Sequence, residues 1–165
     1  LLHPLTTPSH LLVLVALGLM AGRQGRSELK WPLICFALLC AVALLVTTTG
    51  AITSVPPTVL ILVALLAGAL LALDKPPPPL MVSGLFGAGA VAIGLDSAVE
   101  GVPGSGAART LLGNWLSLSV LVADVALYVA MGRHLAWLQV ALRVLGAWVV
   151  AIGLLMLAFA WRGEQ

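Results

Sequence analysis

The chain has 165 residues, 61% of them hydrophobic and only 8% charged, with a mean hydropathy of +1.14. Soluble domains carry about a quarter charged residues, so a water-soluble enzyme with a charged coat is excluded, and so is a disordered chain. Eight Lys and Arg against six Asp and Glu leave a net charge of +2 and no basic patch for nucleic acid. An all-α polytopic membrane protein remains: at about 20 apolar residues per span, the chain has room for five or six spans.

Six apolar runs stand between breakers, and together they predict one transmembrane domain over residues 1–165. The first, 8–22, is stopped by Arg23-Gln24-Gly25-Arg26; at 1.5 Å per residue it reaches roughly 22 Å, short for a span. The second, 31–49, ends in three threonines. The third, 57–73, is stopped by Asp74-Lys75 and the prolines Pro76 to Pro79. The fourth, 80–98, leads into a Gly/Pro/Ser loop, and the fifth and sixth, 108–131 and 137–161, flank Arg133-His134. The runs are continuous and lack the alternation of a membrane barrel, which predicts helices. Cys35 and Cys40, five apart in the second run, turn to different helix faces, so neither a disulfide nor a metal pair is expected.

The positive-inside rule sets the orientation. With the first polar loop cytoplasmic, Arg23, Arg26, Lys30, Lys75 and Arg133 lie inside, Arg109 and Arg162 outside, and Arg143 within the last span. Both termini then face the periplasm or exterior of a bacterial inner membrane. Trp31 and Trp137 belong to the inner interface, Trp115 and Trp161 to the outer one. An outside N-terminus leading straight into a span reads as the product of signal-peptide cleavage.

Ionisable residues at membrane depth carry the functional signal. Asp124 and Arg143 come level in a hairpin that turns near Arg133-His134, which predicts an intramembrane ion pair. It reads as a structural staple or as a gated pair in a permeation path. Asp96 and Glu100 sit four apart at the outer end of the fourth span, in line with the small residues Ala88 and Ala92. Two such carboxylates bind a divalent cation, share a proton, or simply face the aqueous loop. His3 and His10 flank a turn in which Thr7 is a candidate N-cap and Pro8 the first helical residue. They read as a metal-binding pair, since neutral imidazole is a common ligand, or as two surface histidines. An enzyme is not expected: no activated Ser or Cys, no His-Glu-x-x-His and no phosphate loop is present.

The segment His3-Pro4-Leu5-Thr6-Thr7-Pro8-Ser9-His10, followed by Gly18-Leu19-Met20-Ala21, resembles the opening signature of the HupE/UreJ family. That pattern is His-Pro-x-x-Gly-x-Asp-His, then Gly-Leu-Trp-Ala; here Thr7, Ser9 and Met20 replace its Gly, Asp and Trp. A second family motif, Phe-His-Gly-x-Ala-His-Gly-x-Glu, falls on Ala92 to Glu100. Gly94 and Glu100 stand, but Ile93 and Ser97 occupy the histidine positions. The resemblance implies a six-span membrane protein associated with hydrogenase or urease clusters and proposed to carry nickel or cobalt. It implies a metal site drawn here from His3, His10, Asp96 and Glu100, since imidazole and carboxylate both suit those ions. Two roles follow from it: a divalent-metal permease with a degraded site, or a non-transporting accessory subunit packed against other membrane subunits. The lipid bilayer is the expected partner in either role.

Overall fold

A computed structural model describes residues 8–24, 27–49, 55–73, 77–97 and 105–163. Six helices follow in order: α1 Pro8–Gln24, α2 Lys30–Thr47, α3 Pro57–Ala72, α4 Pro79–Asp96, α5 Ser105–Gly132 and α6 Ala136–Gly163. There is no strand among the described residues. Prolines set three of the starts, because a first helical residue needs no intrahelical N–H and the ring presets φ. The threonines ending α2 fold their hydroxyls onto carbonyls three residues back: Thr47 to Leu44 at 2.7 Å, Thr48 to Leu45 at 2.6 Å and Thr49 to Val46 at 2.8 Å. Their polarity is thereby satisfied locally.

Four helices are long and apolar enough to cross a bilayer: α2, α4, and the stretches Ala108–Gly132 of α5 and Ala136–Arg162 of α6. Helix α3, with 16 residues, is apolar but shorter, and α1 has 17. Of the six, α1 is the best enclosed. Most of α1 is buried on every side, as expected of a helix apolar all round. By contrast α6 leaves much of its apolar surface exposed, including Trp137, Trp148, Phe159 and Trp161.

Three helix pairs dominate the packing, α3 with α6, α2 with α4 and α1 with α5, and α1 also lies against α3. Each pair closes over glycine. A Cβ on Gly22 of α1 would lie 2.5 Å from Val129 Cβ and 2.6 Å from the Ala126 carbonyl oxygen of α5. One on Gly94 of α4 would lie 2.6 Å from Ala43 Cβ of α2. Small residues let helix backbones approach, and inside a membrane that contact replaces the hydrophobic effect as the source of association. Gly84 is different: it has open space, so the small-residue line of α4 is only partly a packing seam.

The same contacts fix the helix directions. Gly18 and Gly22 run alongside Val122 to Val129, so α1 and α5 are parallel. Gly87 meets Leu39 and Gly94 meets Ala43, so α2 and α4 are parallel; Gly68 meets Val149 while Gly153 meets Leu65, so α3 and α6 are antiparallel. Directions therefore alternate along the chain, and Pro8 and the end of α6 share one end of the bundle. The indole N–H of Trp115 on α5 donates to the Ala37 carbonyl of α2 at 2.8 Å.

At the opposite end, Arg23 of α1 donates to the carbonyls of Leu71 at 2.9 Å and Leu73 at 2.6 Å, which end α3. Gln24 donates to the Pro77 carbonyl at 2.6 Å, just before α4. A cation at a helix C-terminus satisfies orphan carbonyls and opposes the negative end of the dipole. Replacing Arg23 with leucine is expected to cost about 2 kcal/mol, the scale of charged hydrogen bonds. Unfolding in mixed detergent micelles measures it, and an unchanged midpoint would contradict the role.

Candidate functional site

Pro8 starts α1 and sets His10 in its first turn, facing the interior; the residue is 1% exposed. Asp96 is the last residue of α4, which runs antiparallel to α1 and so brings its C-terminus to the same end. Across 86 residues of sequence, His10 Nε2 and Asp96 Oδ2 lie 2.8 Å apart, with side-chain exposures of 2% and 26%. A carboxylate at a helix C-terminus sits against the negative dipole end, and the imidazole of His10 lies within hydrogen-bond distance of it. The other ring nitrogen, Nδ1, is buried and meets no hydrogen-bond partner among the described residues.

Two of the four residues of the expected metal set are therefore in contact. The other two, His3 and Glu100, lie outside the described residues. Among the described residues no cluster of three or more His, Cys, Asp or Glu is found. The two positions that carry histidine in the family motif are occupied structurally here. Ile93 is fully buried in the core, and the Ser97 hydroxyl donates to the Ile93 carbonyl at 2.7 Å. Gly94 is spent on the α2 contact.

Asp124 and Arg143 stand on the two arms of the last hairpin, α5 and α6. Both side chains are exposed. The turn does place them at similar depth, but α5 docks on α1 and α6 on α3, so the two arms of the hairpin part company. Asp124 instead continues the outward line of Leu112, Leu116 and Val120 on α5.

Two polar residues with a buried, unpartnered side-chain atom escaped sequence reasoning, Asn114 and Ser119. Asn114 of α5 is 4% exposed, and its Oδ1 has no partner among the described residues. It precedes Val122 by eight residues, as His10 precedes Gly18, so in the parallel α1–α5 pair it lies level with His10. The available signal was an amide inside an apolar run. Below this level the bundle is apolar: Val13, Leu14, Leu17 and Met20 are fully buried. Phe36 and Phe86 stack edge to face with centroids 6.0 Å apart.

The sequence pattern of the family described as HupE / UreJ protein matches residues 1–156, nearly the whole chain. Searches of curated proteins and of solved structures find no match. The match spans the first five helices and most of the sixth and includes both partners of the His10–Asp96 contact, and on that extent the chain belongs to the HupE/UreJ family.

Proposed function

We propose that the protein is a six-span protein of a bacterial inner membrane, both termini outside, that receives a nickel or cobalt ion as its cargo at the outer end. The site centres on His10, held by Asp96, with His3 and Glu100, their neighbours in sequence, as further members. The observation that carries this reading is the buried imidazole of His10, paired on Nε2 with Asp96 and unpartnered on Nδ1. A buried polar atom without a partner is rare and points to a ligand or a proton carrier. Nitrogen and carboxylate oxygen are donors that suit first-row divalent ions.

In the first form of the reading the protein is a permease. The apolar interior beneath His10 favours the alternative, a non-transporting accessory subunit that packs within a larger membrane complex. Radioactive nickel uptake into proteoliposomes separates the two. A permease accumulates nickel in the lumen in proportion to time, and His10→Ala stops it. Nickel that never enters the lumen sinks the permease and keeps the accessory subunit; lumenal nickel that depends on His10 sinks the accessory subunit.

A further inference from the structure

We infer that Asp96 is a positioning residue for His10 rather than a metal ligand, and that His10 binds the cation through Nδ1. The inference rests on the cation-binding reading above and names the atom and the division of labour within that site. An ionised carboxylate only accepts hydrogen bonds, so the 2.8 Å contact requires the proton on Nε2. That fixes one tautomer and leaves the Nδ1 lone pair unprotonated. Nδ1 is the atom that is buried and lacks a partner among the described residues.

Geometry separates the two roles. The nitrogens of an imidazole point to nearly opposite sides of the ring. An ion bonded to Nδ1 at the usual 2.0–2.1 Å lies roughly 7 Å from the Oδ2 that holds Nε2, far beyond a coordinating distance. While it keeps its hydrogen bond, Asp96 acts on the ion only through the ring, by fixing the tautomer and raising the basicity of the ligand nitrogen. The position of the residue fits this role: Asp96 is held at the end of α4 by a helix whose Gly94 is locked against α2.

Cobalt(II) added to the full chain in lipid nanodiscs tests the inference, using histidine labelled with nitrogen-15 and His10→Ala to assign the signals. Metal-free protein should show His10 as the single Nε2–H tautomer, and cobalt should perturb Nδ1. Asp96→Ala should bind cobalt roughly 10- to 100-fold more weakly, with the same number of nitrogen and oxygen donors by X-ray absorption. It should also lose the single tautomer, which a merely structural change elsewhere would not cause. If Asp96→Ala does not fold, the wild-type tautomer and the perturbed nitrogen decide alone. A carboxylate oxygen lost from the cobalt shell on Asp96→Ala, or cobalt on Nε2, overturns the inference while leaving the site. Failure of the wild type to bind cobalt overturns both.

Discussion

Gly146→Leu is expected to detach α6 from α3 and to cost about 3 kcal/mol or more, at or beyond the upper end of ordinary overpacking. A Cβ at Gly146 would lie 2.7 Å from the Ala72 nitrogen and 2.8 Å from the Gly68 carbonyl oxygen. Both are backbone atoms, so no side chain can rotate away and the helices themselves must separate. Helix α6 has little else to hold it, because α3 is its main neighbour and much of its remaining surface is exposed. Thermal melting followed by size-exclusion chromatography should show early loss of the monodisperse peak. Gly84→Ala is the matching control: a Cβ there meets nothing within 4 Å, so its melting point should hold or rise slightly. Equal losses at both positions would mean that glycine matters here for some reason other than close approach.

His10→Ala is expected to remove cation binding outright, by on the order of 100-fold or more, since loss of a ligand exceeds the usual cost of losing its outer partner. Bundle stability should change far less. Asp96 loses its donor, but its side chain is 26% exposed, so water reaches the carboxylate. His134→Ala is the control; that residue is exposed, in the turn at the opposite end from His10, and cobalt or nickel affinity should not move. Nickel titration by isothermal calorimetry on the three proteins checks the pattern, and equal affinities throughout would remove His10 from the site.

Much of the secondary structure was legible because breakers dominate in a chain this apolar. Pro8, Pro57 and Pro79 mark helix starts and the three threonines mark the end of α2, while α5 begins at Ser105, three residues before its expected start. What the sequence hid is which helices pair. A tight turn at Arg133-His134 suggests that α5 and α6 lie side by side, and the Asp124–Arg143 expectation followed from it. Helix neighbours are instead chosen by the glycine faces: Gly18 and Gly22 commit α1 to α5, while Gly68 and Gly146 commit α3 to α6. Those choices depend on three-dimensional shape that loop lengths do not encode.

The site was legible as a set of residue types, less so as an arrangement. His10 and Asp96 stood out as polar groups beside apolar runs, and α1 and α4 bring them together. Where the family pattern has Asp next to its second histidine, this chain has Ser9, and α4 supplies a carboxylate to the same imidazole from across the bundle. The partnering of one ring nitrogen and the burial of the other without a partner depend on the three-dimensional packing. Asn114 was passed over because an isolated amide in an apolar helix has no distinguishing spacing.

The most direct test of the central claim is native mass spectrometry of the full protein extracted from its own membrane in mild detergent. The account predicts a stoichiometric nickel- or cobalt-sized mass on the wild-type chain and its absence from His10→Ala, with the two proteins otherwise alike. A wild-type chain that carries no metal after equilibration with nickel, or a His10→Ala chain that carries as much, would contradict it.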